Sequence, residues 1–423
     1  MKVLFYWVGI LLGSGLHAEV APVVQTRSLD ALVGEVLAHN PEIKGVEADL
    51  AAAKGARLQA GLWKNPDLSV MMADRQVRTA GVTVKGYSDS IGLTQTFEFP
   101  GKATLRKAIA DLDIKTAEIG ITQFRQALAG RVRVLGYRYA FAEENREAAE
   151  LAAGRARALI ALLNKRPQAG LQAMFDSGAL AGNLTELIST QRDLNQEALS
   201  AKAEINLLRG WPAETPLKVT VTPATPISPT DFNAFLVRSL NTSPVLQLKK
   251  VDLARNRNRV AASKLDAAPD FAIQPYYSLD SAGDHDQKIG ASVTVALPVW
   301  NQNQGNIAAA KAYLVKAETT EAQARDDLQL ALSRIYQTQR LISRQLQEIG
   351  PDTLPDLAQL AEFADRHYRL GAINLQTFLE AQRQYLATTR SVHQAMLDQV
   401  TADCDLRLLS GTMELTTASG VKP

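Results

Sequence analysis

Residues 91–110 read IGLTQTFEFPGKATLRKAIA, and the pattern of the chain changes in the middle of them. Before Pro100, apolar residues alternate with small or polar ones, which is the period-two pattern of a strand with one apolar face. After Gly101 the stretch becomes rich in alanine, lysine and arginine, which favour helix. The same change recurs at residues 289–310, IGASVTVALPVWNQNQGNIAAA. The sequence therefore predicts two strands that each lead into a helix.

The second half of the chain repeats the first. HNPEIKGVEADLAAAK at 39–54 resembles TSPVLQLKKVDLARNR at 242–257, and Pro41 and Pro244 are 203 residues apart. NPDLSV and APDFAI follow at the same spacing, whereas Pro100 and Pro298 are 198 residues apart. This self-similarity predicts a tandem repeat of about 200 residues, with one common structure in each half.

Long proline-free segments, rich in Ala, Leu, Gln, Glu and Arg, follow each predicted strand pair. They predict helices of up to about 65 residues, roughly 100 Å long at a rise of about 1.5 Å per residue. Helices of this length do not fit inside a compact domain and indicate coiled-coil packing. Each half then holds a helical hairpin, and the proline positions predict turns near Arg166-Pro167 and near Gly350 to Pro355.

These patterns predict an α+β fold, mostly α, with the chain divided into segments. Residues 1–18, with a short apolar run and Ala18 at the cleavage point, are typical of a signal peptide. The first repeat covers 19–210, with strands at about 67–74 and 87–99 and a helical hairpin at 101–209. A linker at 211–230 leads to the second repeat at 231–410, with strands at about 270–279 and 288–299, a hairpin at 304–410, and a tail at 411–423.

The predicted strands have the length of tilted transmembrane strands, about ten residues. Four strands cannot close a membrane barrel, since the smallest need about eight, and open edges are not tolerated in lipid. Three copies of the chain would supply twelve strands, so a homotrimer is predicted. Aromatic residues at the strand ends nearest the helices would form a girdle at the outer-membrane lipid interface: Trp63, Phe97, Phe99 and Trp300. An ordinary half-buried sheet is the alternative.

Composition argues against other classes of function. The 46 Lys and Arg nearly balance the 44 Asp and Glu, so no nucleic-acid partner is predicted. Cys404 is the only cysteine and the histidines are scattered, so neither a metal site nor another cofactor is predicted. HExxH and GxSxG motifs are absent, and PGKAT lacks the upstream glycine of a phosphate loop because position 96 is Thr96. The chain is therefore not expected to be an enzyme.

The duplicated halves, the strands with their long hairpins, and YRLGAINLQTFLEAQR together resemble the TolC family of outer-membrane efflux proteins. The resemblance covers essentially the whole mature chain, and TFEFPGK looks most like the CzcC-like branch. It implies a homotrimeric exit duct in the outer membrane of a Gram-negative bacterium, continued by an α-helical barrel through the periplasm. An inner-membrane pump of the RND type and a periplasmic adaptor (a membrane fusion protein) would feed it, with heavy-metal cations as cargo. Drug efflux, type I protein secretion and a periplasmic coiled-coil structural role remain the alternatives.

The resemblance also implies roles for residues near the hairpin ends. The adaptor would dock on two tips, at Asp176, Ser177 and Gly178 and at Arg369, Leu370 and Gly371. The periplasmic gate would be formed by Glu186, Tyr368, Thr377 and Glu380. Thr377 departs from the acidic pattern of the family, with Glu380 one turn further on. The alternatives are helix interruption or close packing for the glycines, packing for Tyr368, and a solvated helix face for the glutamates.

Overall fold

The computed structural model describes residues 25–413, with the exception of residues 80, 166–170, 223–225, 228, 230 and 284. The proposed signal peptide, the Arg166-Pro167 turn and the tail beyond Met413 lie outside the described residues. The helices are α1 (Leu29–His39), α2 (Pro41–Gln59), α3 (Lys102–Asn164), α4 (Leu171–Leu208), α5 (Phe232–Thr242), α6 (Pro244–Leu265), α7 (Gln304–Ile349), α8 (Thr353–Arg369) and α9 (Leu375–Ser410). The strands are β1 (Gln25–Ser28), β2 (Asp67–Thr79), β3 (Val82–Phe97), β4 (Leu217–Thr220), β5 (Phe271–Asp280) and β6 (Asp286–Val295). The predicted α+β, mainly helical fold is confirmed.

The two repeats begin in the same way. Helices α1 and α5 have the same length, and α2 and α6 both start with a proline, Pro41 and Pro244. Proline suits the first helical position because its missing N–H would be unpaired there anyway. The helices after the strands start at Gly101 and Asn303, which both cap with a positive φ and are 202 residues apart. At these positions the two halves are therefore offset by 202–203 residues, and the 198-residue spacing of Pro100 and Pro298 does not mark equivalent positions.

The main sheet has the strand order β2-β3-β5-β6, and every neighbouring pair is antiparallel. The central pair, β3 and β5, joins the first repeat to the second, with Phe97 opposite Phe271 and Ile91 opposite Tyr277. Strands β2 and β6 form the two edges, and within the described residues neither has an outer partner. A small parallel sheet of β1 and β4 lies elsewhere, on the core around α1 and α3.

The strand boundaries differ from the predicted ones. Strands β2 and β3 extend to Thr79 and back to Val82, so the polar stretch expected to be a loop is a paired hairpin. The backbone hydrogen bonds between β2 and β3 form without burial of the side chains. Gly81, with φ 85°, allows a tight turn at the end of the hairpin. In contrast, β6 ends at Val295 rather than 299. Pro298 follows, and the Val299 N–H donates to the Leu297 carbonyl instead of a ladder.

The main sheet has one apolar and one polar face. Leu68, Ile91 and Ile289 belong to the apolar face, which remains exposed. On the polar face, the Gln274 amide donates to Ser69 Oγ at 3.2 Å and accepts from Ser292 Oγ at 3.4 Å. Glycines make room on this face for long side chains: Gly92 lies under Gln274, and Gly290 lies under the ring of Tyr276.

The second helical hairpin reverses at a different place from the predicted one. Gly350 and Pro351 break the helix between α7 and α8, but the chain does not turn back there. Helix α9 runs antiparallel to both: Gln382 donates to the Ala361 carbonyl of α8 at 2.7 Å, and Gln399 donates to Ser343 of α7 at 3.0 Å. The reversal is therefore at 370–374, and the expected turn near Gly350 to Pro355 was wrong.

Buried side chains at the base of the first hairpin form the largest core. Helix α1 packs on α3, and β4 and the last turns of α4 close the cluster. Gly136 of α3 lets the helices approach closely, since a Cβ there would come within 2.3 Å of Leu29. This core packs against the middle of α3 and the end of α4, and a second cluster, described below, lies nearer the tips.

Candidate functional site at the hairpin tips

The reversal between α8 and α9 is fixed by local hydrogen bonds. Helix α8 ends at Gly371, which has φ 76°, and the N–H groups of Gly371 and Ala372 donate to the Tyr368 and His367 carbonyls at 3.0 and 2.9 Å. This is the Schellman pattern, which favours glycine because other residues are strained at positive φ. Asn374 then caps α9, accepting from the Thr377 N–H at 2.8 Å. Gly371 therefore ends a helix at the tip, as one sequence interpretation held.

A buried cluster joins the tips of the two repeats. Phe378 of α9 is 1% exposed and stacks on Tyr368 of α8 with ring centroids 5.5 Å apart. Leu180 of α4, Leu159 of α3 and residues of α8 and α9 complete the cluster. The two hairpins are thus held together at this end by side chains that lie far apart in the sequence. The half-buried Tyr368 packs in this cluster, which supports its packing interpretation.

The residues expected at the first tip occupy a different position. Asp176, Ser177 and Gly178 lie within α4, which begins at Leu171 and passes through Gly178 without interruption. No described residue lies within 4 Å of a Cβ placed on Gly178, so among these residues neither a turn nor close packing requires glycine there. The expectation that Gly178 interrupts the helix was wrong, because a single glycine costs a helix only about 1 kcal/mol.

The residues expected at the second tip lie at the reversal. Leu370 is 79% exposed, a large apolar side chain at the end of the hairpin. Arg369 is paired with Asp365 one turn earlier at 3.0 Å. An exposed leucine in such a place is available for contact with another protein, whereas the Arg369 guanidinium is already engaged within the helix.

An open groove of about 740 Å³ runs between α8 and α9. Thr377 and Glu380 line its α9 side together, and Glu380 accepts from Gln384 at 3.3 Å. Glu186 lies on α4, exposed and apart from this groove. Leu360 and Phe363 form the α8 wall and remain partly exposed. They were missed from the sequence, although apolar residues spaced three apart on a polar helix are a readable signal.

The proposed girdle residues lie at the helix-proximal ends of the strands. Trp63 packs edge-on against Phe97 at 5.9 Å, and Phe97 stacks on Phe271 at 5.2 Å. Phe99 is partly exposed and Trp300 strongly exposed. The structure therefore brings Trp63 and Phe97 together and adds Phe271, which occupies the place of Leu68 in the repeat.

The sequence model of the outer membrane efflux protein family matches residues 238–412, from within α5 to just past α9. Over that stretch, which is less than half of the chain, the sequence is similar to the outer membrane efflux protein family. The residues before 238 lie outside the matched region, and their helices and strands follow the same order as those of the second half.

Solved structures of channel proteins share this fold over most of their length. CusC has a TM-score of 0.72 at 14% identity, with 90% of this chain and 91% of that chain covered. The CmeC outer membrane channel of Campylobacter jejuni has a TM-score of 0.72 at 15% identity, covering 92% and 87%. The outer-membrane channel OprN has a TM-score of 0.73 at 17% identity, covering 92% and 90%. These identities establish the fold alone, and no curated protein sequence matches the chain.

No described helix is both long enough and apolar enough to cross a bilayer. In the same part of the chain, no group of three or more His, Cys, Asp or Glu side chains is placed to hold a metal ion.

The two glycines expected at the tips give a matched pair of predictions. We expect Gly371→Ala to destabilise the α8–α9 tip by about 1–2 kcal/mol, because alanine is strained at positive φ. Gly178→Ala should instead stabilise α4 by about 0.5–1 kcal/mol, because that glycine lies inside a helix. Hydrogen exchange of the α4, α8 and α9 amides measures both changes. Equal effects of the same sign would contradict the two assigned conformations.

Proposed function

We propose that the chain forms a homotrimeric exit duct in the outer membrane. The observation that carries the proposal is the four-stranded sheet, which has two unpaired edges and one exposed apolar face. In water an exposed flat edge invites aggregation, and in lipid an open edge leaves backbone groups unpaired. Three such sheets joined edge to edge would give twelve strands, with the apolar faces towards lipid and the Ser69–Gln274–Ser292 face lining the pore.

The long helices would continue this pore into the periplasm. Helices of this length, held by a core at the middle of α3 and by the Phe378 cluster nearer the tips, suit the wall of a helical barrel. A periplasmic adaptor and an RND-type inner-membrane pump would meet the barrel at the tips. Support for docking comes from Leu370, which is exposed at the reversal, and from the α8–α9 groove beside it. The contribution of Asp176, Ser177, Gly178, Arg369 and Gly371 to docking is part of the same proposal.

The gate and the cargo are the finer parts of the proposal. Exposed carboxylates at Glu186 and Glu380, present three times in a trimer, would attract cations and repel one another when brought together. Thr377 would line the gate beside Glu380, and Tyr368 would support it from the cluster. Heavy-metal cations are the proposed cargo, on the resemblance of TFEFPGK to the CzcC-like branch. Drugs or secreted proteins are the alternative cargoes.

A complementation experiment tests the duct, its docking tip and its cargo together. A strain that lacks the gene is expected to become sensitive to zinc, cobalt or copper, and the wild-type chain should restore tolerance as a trimer in the outer-membrane fraction. Leu370→Asp should form the same amount of trimer and restore little tolerance, because a carboxylate replaces the exposed apolar contact. Leu370→Met is the matched control and should behave as wild type.

Each part of the proposal can fail separately. Recovery of the protein from the soluble periplasm without detergent would support the coiled-coil scaffold instead. Full tolerance with Leu370→Asp would remove Leu370 from the docking surface. Unchanged metal tolerance in the deletion strain, together with sensitivity to drugs or detergents, would replace the cargo and leave the duct in place.

A further inference from the structure

The junction of β3 and β5 within one chain is closed at its base by Asp270. Its carboxylate Oδ1 accepts from the Phe99 N–H at 3.0 Å and from Lys102 Nζ at 2.8 Å. Lys102 also donates to the Ala268 carbonyl at 2.8 Å. Burial alone would raise the pKa of Asp270, but the hydrogen bonds from Lys102 and Phe99 outweigh it and hold the pKa below its ordinary value. Asp270, just before β5, therefore links the end of β3 to the start of α3.

The repeat places a second set of residues in the same positions at the outer edges of the sheet. Asp67 begins β2 as Asp270 precedes β5, 203 residues later. Leu93 and Val295, each opposite the equivalent residue of its hairpin, are 202 residues apart, as are the helix caps Gly101 and Asn303. The partners that correspond to Phe99 and Lys102 are therefore Asn301 and Gln304.

At these outer positions the single chain leaves Asp67 without a partner among the described residues, whereas the Gln304 side-chain amide donates one hydrogen bond, to the Trp300 carbonyl at 3.3 Å, and has a second N–H to give. Asp67 is exposed, and within the described residues its side chain has no hydrogen bond or ion pair. Leu297 and Val299 are 77% and 63% exposed, although they correspond to Gln95 and Phe97, which pair with β5 inside the chain. Strand β6 ends at Val295, before these two residues, and none of the described strands lies opposite them.

We propose that β6 of one copy pairs with β2 of a second copy in the register of the β3–β5 junction, so that Leu297 lies opposite Val70 and Val299 opposite Leu68. Asp67 of the second copy then accepts from the Asn301 N–H and the Gln304 side-chain amide. The inference rests on the proposed trimer and names its seam.

The proposed register satisfies the chemistry of both faces. Leu68, Val70, Leu297 and Val299 all belong to the apolar face, so the exposed apolar surface continues across the seam without a break. Pairing extends β6 by four residues, and Pro298, which has no N–H, costs the ladder at most one hydrogen bond. The base of the seam differs from the base inside the chain in one respect: a neutral amide replaces the charged Lys102, and the hydrogen bond is weaker for that reason.

Paired cysteines test the register in isolated outer membranes. Cys404 gives no background, since it is buried and burial raises the pKa of its thiol to about 11. Val70→Cys with Leu297→Cys should give the largest fraction of disulfide-linked multimers, because residues directly opposite each other are about 5 Å apart. Val70→Cys paired with Val295→Cys or Val293→Cys tests registers shifted by two and four residues, each two-residue step being about 7 Å. Gln95→Cys with Ile273→Cys is the equivalent pair within one chain and serves as the positive control.

The outcomes separate this inference from the proposed function. If the disulfide-linked multimers are most abundant when Val70→Cys is paired with Val293→Cys or Val295→Cys, the proposed register is wrong and the proposed trimer still holds. Absence of any link between copies in all three pairs, with the control formed, overturns both. For the base, Gln304→Lys should raise the dissociation temperature of unboiled trimers, and Asp67→Asn should abolish that rise. An equal rise with and without Asp67 overturns the assigned partner.

Discussion

Replacing Phe378 with alanine is expected to lower the stability of the tip by about 3–5 kcal/mol, the usual loss for a buried phenylalanine. Phe378 is 1% exposed and belongs to the cluster that joins both repeats, with residues of α3, α4, α8 and α9 around it. Its removal leaves a cavity and also ends the stacking on Tyr368. The two hairpins would then separate more readily at this end than at the anchored core.

Hydrogen exchange of the α8 and α9 amides measures the change, with an acceleration on the order of 10²- to 10³-fold expected where exchange depends on opening of the tip. Phe363→Ala is the matched control. Phe363 lies on α8 in the groove and is 44% exposed, so its loss should cost under about 1 kcal/mol. Similar acceleration by both variants would show that Phe378 does not hold the tip.

The second large effect is expected at Arg209, where α4 ends. Arg209 is 2% exposed; its guanidinium lies 2.5 Å from the Glu35 carboxylate, donates to Asn206 and covers the Trp211 ring at 4.6 Å. Arg209→Met should cost about 2–4 kcal/mol, because it leaves Glu35 without its buried partner and Asn206 without a donor. The value is below that for a fully buried pair since Glu35 is partly exposed.

The same carboxylate offers an internal control. Arg27 also contacts Glu35, at 2.8 Å, but its own side chain is more than one-third exposed. Arg27→Met should therefore cost no more than about 1 kcal/mol. Thermal unfolding of the detergent-solubilised protein compares the two variants. Adding Glu35→Gln to Arg209→Met should recover part of the loss, and a fully additive double variant would argue against the buried charge as the cause.

The strands and long helices could be predicted because their signals are local. Period-two alternation around Ile91 and the spacing of the prolines identified the strands and the helical spans. The hairpin of β2 and β3 was underestimated beyond Asp74, since paired polar strands have no apolar face to detect. A backbone ladder and the turn at Gly81 extend them, and neither requires an alternating sequence.

The direction of the chain at helix breaks was harder to predict. Gly350 and Gly371 both end helices with nearly equal positive φ values, 74° and 76°. Only the second is a reversal, and what distinguishes it is the packing of α8 on α9 around Phe378. That packing includes Leu180, from the other repeat, so no local pattern could have indicated it. Leu370 and Thr377 came from a family resemblance, whereas the groove beside them could be seen only in three dimensions.

The glycines of the polar sheet face have a consequence for whatever passes along it. A Cβ at Gly92 or Gly290 would lie 2.7 Å from the Gln274 amide or the Tyr276 ring, so these long side chains lie down over the glycines and do not stand up from the sheet. Around these two glycines the polar face therefore presents amide, hydroxyl and ring surfaces that lie close to the sheet, whereas Met71 and Lys288 on the same face are exposed. In the proposed duct, a solute passing the glycines would meet hydrogen-bonding groups held against the wall, and the width of the pore would limit cargo size there.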